Sequence, residues 1–470
     1  MAARRVLESL ELGDTSIASI TLKPRVELRG RITRSMVEEI SRIKREPEWM
    51  LRLRLRSLEL FEKLPTPNWL IGVEELDLEE LAHYVHPDVD RAASWDELPE
   101  DIKRVYERIG LPEIERKALS GLAAQLESEN VYLAFRKFLE EKGVVLMDMG
   151  EAVARYPDLV RKFFMRIFPP SDHKFAALHG ALWSGGVFLY VPSGVRVEAP
   201  IEAFFFIASE LESQFEHTLI VADRGSYVHF IEGCSAPLFK KYSFHDGMVE
   251  VYVGENAHVK FTTIQNWSKN LINFNNKRAL LERGARIEWV EGSIGSKASY
   301  VYPSAVLRGE GASASIHGVT LAKGSVWKDS GAKVFHLAPN TASEVVSKSI
   351  SVEGGTAVYR GLVKVAKGAR GSTASVKCDS LVLDERSRAY TYPRNEVEEE
   401  GATVVHEASV GKLGEDTLFY LRARGLRESE ARRLLLLGYV SDILGRLPAE
   451  YGLVLRKVLE LEFEELGGYG

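Results

Sequence analysis

Cysteine is nearly absent: 470 residues hold two, Cys234 and Cys378. So few thiols exclude a disulfide framework and point to a reducing compartment, so a cytoplasmic location is expected. Long hydrophobic runs are missing too. The longest, AALHGALW and GGVFLYVP, fall well short of the roughly 18 apolar residues that a membrane span needs. The opening MAARRVLESLELGD reaches acidic residues before an apolar run develops and does not read as a signal peptide. Neither sign of charge dominates, since 61 Lys and Arg face 67 Asp and Glu for a net charge of −6, which gives no reason to expect nucleic acid as a partner. Residues 23–56 carry eleven basic residues against five Glu. In MLRLRLRSLELF they alternate with leucines and read as a solvated helical face.

Several catalytic motifs are also lacking. GSIGSKAS, starting at Gly292, superficially resembles a phosphate loop, but the Gly-Lys-Ser/Thr that would grip a nucleotide is missing, so no direct ATP binding is expected. HExxH, CxxC and GxSxG do not occur. The chain therefore holds no self-sufficient hydrolase, zinc or nucleotide site.

What is present falls into three textures. Residues 1–165 read as a mainly helical, loop-rich domain: TRSMVEEISRIKREPEWMLRLRLRSLELFEKL and SENVYLAFRKFLEEKG carry apolar residues near helical spacing, and PDVDRAASWDELPEDIKRVYERIGLPE adds short helices split by prolines. Within LRLRLR the alternation suggests a strand, but its flanks favour helix. Residues 166–413 form the second domain, in which, from about residue 183, short strands rich in Val, Ile, Phe and Tyr alternate with Gly, Asn and Ser corners. Residues 414–470 return to amphipathic helices in EDTLFYLRARG, SEARRLLLLGYVSDILGRL and PAEYGLVLRKVLELEFEEL. The run Leu434 to Leu437 is too wide for one seam and suggests a helix covered on two sides.

The middle segment repeats. Corners at Gly225, Asn256, Gly284, Gly311, Thr341 and Gly368 follow one another at steps of 31, 28, 27, 30 and 27 residues, with half-steps at Gly324 and Gly354. A strand–corner–strand unit of about 14 residues cannot bury its own apolar face and must stack on its neighbours, which is the logic of a β-solenoid. A β-sandwich would give turns every 8–12 residues or so without the longer period.

The residues with chemistry to offer are Cys234, Cys378 and the adjacent His406 and Glu407. A lone strand cysteine is most often a small buried hydrophobe; the alternative is a thiolate that binds a soft metal or carries sulfur. On a strand, neighbours point to opposite faces, so only one of His406 and Glu407 can face the same site as Cys378.

IEGCSAP at 231, QNW at 265, NKRALLERGA at 276, YRGLVKV at 359, KCDSLVL at 377 and VHEASVGKLGEDTLFY at 405 together resemble the SufB/SufD family of the SUF iron–sulfur cluster assembly machinery. REPEWMLRLRLRSLELF, VRKFF and VPSGVRVEAPIE fit the same family, and EGCSAP with QNW favours its SufB branch over SufD. The resemblance implies a mainly β fold, a right-handed parallel β-helix between helical ends. It implies a non-enzymatic scaffold for a transient [4Fe–4S] cluster, with reduced flavin as an open question. Cys378, Glu407 and His406 match the cluster-holding positions, with Cys378 and Glu407 as the metal ligands. Cys234 matches the sulfur acceptor, and Gln265, Trp267 and Lys277 the sulfur's route. Phe206 and Ala208 align with an Arg and an Asn at the start of that route, and Val405 with a Glu beside His406. The implied partners are the SufC ATPase at the C-terminal helices, SufD or a second SufB-like copy along the β-helix, a sulfur donor, and apo-protein acceptors. Two other readings are a SufD-like adaptor that never touches iron and a polysaccharide-lyase-like β-helix. The latter needs a carboxylate or calcium groove, usually in a secreted protein.

Overall fold

The computed structural model describes residues 24–89, 91–92, 95–98, 103, 121–135, 137–236, 241–447, 452, 456 and 459–460. The chain opens with β1 (Pro24–Arg29), α1 (Arg34–Ile43), α2 (Glu48–Lys63) and β2 (Ala82–Pro87), which pairs antiparallel with β1. Thr33 caps α1 by accepting the Met36 amide, the usual role of a threonine hydroxyl at a helix start. LRLRLR lies inside α2, as its flanks predict. Arg54 of that run is fully buried, 2.6 Å from Glu46, and donates to the Ala181 and Trp183 carbonyls.

Further along, the helix expected over SENVYLAFRKFLEEKG is corrected. That segment forms β4 (Glu129–Phe135) and one short turn, α3 (Lys137–Glu140), with β3 (Gly121–Leu126) before it and β5 (Val145–Asp148) after. Val, Tyr and Phe suit a pleated surface, and a waiting sheet edge overrides weak helical spacing. Most of the prolines-and-helices segment 87–113 lies outside the described residues. Three helices follow, α4 (Met149–Arg155), α5 (Pro157–Phe163) and α6 (Lys174–Leu182).

The chain then coils. β6 (Val187–Val191), β9 (His217–Ala222), β11 (Ser243–Val253), β13 (Leu271–Leu281), β15 (Ala298–Leu307), β17 (Trp327–His336), β19 (Thr356–Val365) and β21 (Arg388–Val397) stack in parallel as one sheet. The other sheet stacks β7 (Arg196–Phe206), β10 (Tyr227–Ser235), β12 (His258–Trp267), β14 (Arg286–Gly295), β16 (Ser313–Lys323), β18 (Ala342–Val352), β20 (Thr373–Val382) and β22 (Thr403–Gly411). A two-residue strand, β8 (Ser213–Gln214), pairs with β11. Alternating between the sheets makes a β-solenoid of about eight turns, as the repeat predicts. At the N-terminal end, β3 and β4 extend one sheet and β5 extends the other.

The corners explain the recurring small residues. Gly225, Asn256, Gly284 and Gly311 take positive φ, at +66, +56, +65 and +70°, a backbone shape that costs Gly and Asn little. The next two corners in the same series are Asn340 and Gly371, at +58 and +68°. They replace Thr341, which is off by one residue, and Gly368, which is off by three. Gly368 is also at positive φ but belongs to the start of that turn.

Strand alternation sends one set of side chains inward. Phe230, Phe261 and Trp289 occupy one interior row, with ring centroids 5.4 and 5.0 Å apart. The same row runs on through Ile316, Val345 and Val376 to His406. Outside, α7 (Glu415–Ala423) leads to α8 (Glu428–Leu444), whose Leu436, Val440 and Ile443 cover Ile231, Val290, Val319 and Ile350 on the second sheet. Leu434 remains exposed on the far side of α8. The third helix expected over PAEYGLVLRKVLELEFEEL lies mostly outside the described residues.

Candidate functional site

Both cysteines point into the solenoid. Cys234 on β10 is paired in register with Phe205 and Gln265, and its row continues through Ser293, Thr320 and Ser349 to Ser380. Cys378 on β20 lies in the adjacent inward row, which runs from Ala203 and Glu232 through Thr263, Glu291, Gly318 and Ser347 to Cys378 and on to Ala408. Five parallel steps separate β10 from β20. At about 4.8 Å per step the two thiols stand roughly 24 Å apart along the solenoid. They are free and buried, too far apart for a disulfide or a shared metal.

Around Cys234 the interior is polar. His245 bridges Glu216 at 2.7 Å and Asn273 at 2.8 Å, and the Asn273 amide donates to Gln265 at 2.6 Å and Ser299 at 3.0 Å. Trp267 lies against the His245 ring, 4.4 Å between centroids. Lys277 reaches in from the opposite sheet to Glu291 at 3.1 Å and Glu232 at 3.4 Å, and donates to Thr263. Burial pushes the Cys234 thiol well up, and the carboxylates of Glu232 and Glu216 push it further, with Lys277 opposing. Burial pulls the Lys277 ammonium down, but Glu291 and Glu232 outweigh it and the net shift is upward. Glu291 rises to about 7, chiefly through burial. Gln265 and Trp267 thus meet the His245 cluster and Lys277 meets Glu232 and Glu291, while Cys234 lies in register with Gln265 and within the field of both clusters.

Phe206 and Ala208 stand elsewhere. On β7 the residues that join the interior are Ala203, Phe205 and Ile207, so alternation turns Phe206 to the outer face. Its carbonyl accepts from the Glu127 amide at 3.1 Å, while the Ala208 amide donates to the Glu127 carboxyl at 2.9 Å. The polar surroundings of Cys234 come instead from Glu216, Glu232 and Lys277, which the sequence reading passed over in the first two cases.

At the other station, Cys378 Sγ lies 3.3 Å from His406 Nε2 and donates to the Glu407 carbonyl at 3.5 Å. Val376 pairs with His406 and Lys377 with Glu407, so His406 shares the inner face with Cys378 and the Glu407 carboxylate points out. That separates the pair along the line the alternation demands. Val405 is exposed on the Glu407 side. Burial lifts the Cys378 thiol to about 11, with Asp379 adding to the rise, and burial lowers His406. Thiol and neutral imidazole are therefore the resting pair, a soft donor set that becomes a ligand when a metal displaces the proton. Among the described residues no three His, Cys, Asp or Glu side chains converge on one point. Tyr359, inward on β19, stacks edge-on to His406 at 6.4 Å, and its buried hydroxyl has no partner. Only the motif YRGLVKV hinted at it.

The site is thus a parallel solenoid carrying two widely spaced buried thiols, the second of them beside an imidazole. Two family patterns match: the SufBD protein N-terminal region over residues 39–203, and the SUF system FeS cluster assembly SufBD core domain over residues 205–439. An iron–sulfur cluster assembly SufBD family protein of Staphylococcus aureus strain MRSA252 is 45% identical over 434 residues, covering 92% of this chain and 93% of that protein. Its counterpart in Staphylococcus epidermidis is 44% identical over 433 residues, with 92% and 93% covered. The chain belongs to the SufBD family of iron–sulfur cluster assembly proteins.

Proposed function

We propose that this chain is a SufB-type scaffold on which nascent iron–sulfur clusters, [4Fe–4S] cargo, are built and handed to apo-proteins. The observation that carries the reading is the Cys378–His406 pair, 3.3 Å apart on β20 and β22, the last two strands of one sheet. Thiolates with occasional imidazole or carboxylate substitution suit a cluster, and an incomplete ligand set suits one that must leave. In this reading Cys378 and His406 hold iron from inside the chain. Glu407 supplies its carboxylate across an interface, where SufD or a second copy abuts β21 and β22. Cys234 accepts sulfur from a donor, and Gln265, Trp267 and Lys277 line its way inward.

The chain itself does no catalysis in this scheme. ATP hydrolysis belongs to a SufC-type ATPase docked on the C-terminal helices, where Phe419, Tyr420 and Leu434 are exposed, and a reduced flavin is not required by the geometry. The solenoid winds right-handed, following the handedness of parallel crossovers, and the complex works in the cytoplasm. A SufD-like adaptor role is not adopted, because an adaptor gives the two buried thiols nothing to do. Anaerobic reconstitution with ferrous iron and sulfide tests the reading. A chromophore should form in the native chain and be lost in Cys378→Ala; an unchanged chromophore in that variant would sink it.

A further inference from the structure

Among the described residues, the buried ammonium of Lys328 shows no carboxylate partner. Lys328 on β17 is 1% exposed and points inward. Its ammonium donates only to two hydroxyls, Ser296 at 2.7 Å and Ser293 at 3.4 Å. Both serines belong to GSIGSKAS, the stretch with the look of a phosphate loop. Instead of opening to solvent, its Gly295 and Ser296 turn at φ +71 and +52° and fold the serines over Lys328. Lys277, two strands away on the same sheet, has Glu232 and Glu291. Lys328 has no such compensation, and desolvation alone lowers its ammonium to about 7.

The surroundings lead in both directions. In register, Lys328 continues the row His245, Asn273, Ser299, so it adjoins the network around Cys234. Ser293, though not Lys328 itself, also lines a cavity of about 30 Å³ that is bordered by Glu291, passes Thr320 and Ser330 and reaches Ser347 and Tyr359. Ser347 pairs with Cys378, and the Tyr359 hydroxyl is buried and unpartnered. That volume holds one or two water-sized species, since one water needs on the order of 10–15 Å³. A phosphate or sulfate would not fit.

We infer that Lys328, with Ser293 and Ser296, forms a station for a small soft monoanion, hydrosulfide, midway between the two thiols: sulfide supplied as such binds there without change of oxidation state, and sulfur carried on Cys234 reaches it only when two external thiols reduce the persulfide, releasing HS⁻ as they join in a disulfide. The inference rests on the sulfur-route reading above and extends it with a residue no other argument assigns. The anion completes the ion pair that the fold leaves open, and its soft character suits the thiol and apolar walls beyond.

The test uses anaerobic crystals of the full chain soaked in sodium hydroselenide, whose selenium is an anomalous scatterer standing in for sulfur. Wild type should show a selenium peak within hydrogen-bond reach of Lys328 Nζ, and Lys328→Met none. No peak at Lys328 in wild type, or a bromide soak filling the site while hydroselenide does not, overturns the station. In solution, the initial rate of cluster formation from limiting sulfide should fall about tenfold or more in Lys328→Met, the loss expected of one charge-assisted contact, with Lys328→Arg recovering part of it; an unchanged rate overturns the inference. The two readings separate cleanly. Selenium at Lys328 with a cluster indifferent to Cys378→Ala keeps the station and removes the scaffold site, whereas a Cys378-dependent cluster without selenium at Lys328 does the reverse.

Discussion

Lys277 and Lys328 are both buried ammonium groups on the inner face of one sheet, yet their substitution should have opposite effects. Removing Lys277 leaves Glu232 and Glu291 buried without a counter-charge, and Lys277→Met should cost about 3–5 kcal/mol. Lys328→Met removes an uncompensated charge and should raise the melting temperature. The sign follows from proton binding: Lys328 titrates near 7 in the fold and at 10.5 in the unfolded chain. Between those values the unfolded chain holds the extra proton, so the Lys328 contribution improves as pH rises through that window and is worst below about 7. Calorimetry of wild type and Lys328→Met should therefore show a larger gain at pH 6 than at pH 9. Equal gains would mean that Lys328 is not the charge being relieved. At the other station, alternation makes a further prediction. His406→Ala should weaken ferrous iron binding by the isolated chain, whereas Glu407→Ala should weaken it only in the assembled complex. Iron titration of both forms, each followed optically, distinguishes the two roles.

Strands and corners are where the sequence is most legible, and also where a small slip hides one shared row. The period of about 28 residues came through because each turn needs a small residue at positive φ, and two strands per turn followed from the half-steps. Cys378, however, is seven residues after the true corner Gly371, as Glu232 is after Gly225 and Glu291 after Gly284. Anchoring that turn on Gly368 concealed this shared row. Lys328 was invisible for another reason: its importance lies in the missing carboxylate, and a sequence does not show which partners are absent. The sequence of β4 reads as helix because apolar residues near helical spacing are weak evidence when a sheet edge is waiting. Gly331 illustrates how tight the stacking is, since a Cβ there would sit 1.8 Å from the Arg360 carbonyl oxygen. Gly331→Ala should lower the denaturation midpoint through backbone displacement, while Gly438→Ala on α8, with open space around it, should hold or raise it. On α7, Phe419 and Tyr420 are 74% and 56% exposed and contribute little to the fold. Replacing both with Ser should leave the melting curve in place and abolish co-purification of the proposed ATPase partner; retained capture would move the docking face elsewhere.

At the scale of the molecule, the two ends of the solenoid differ. At the C-terminal end β21 and β22 close their sheets, and Tyr390, Tyr392, Val397, Val405 and Val410 are exposed there. At the N-terminal end β4 and β5 run antiparallel to their neighbours, and the outer side of β4 is already engaged, Leu133 donating its amide to Ala92 at 3.3 Å. Unpaired parallel edges that carry apolar side chains are where another sheet would add. A charge placed on that edge, as in Val410→Lys, should shift the mass in solution toward a single chain, measured by light scattering; a retained higher mass would place the contact on another surface.

If β21 and β22 are its only open edges, the solenoid is a chain terminator. Two such solenoids meeting edge to edge use up each other's open ends, so growth stops at a pair and does not run on into a fibre. Antiparallel strands at one end thus set the length of whatever is built at the other.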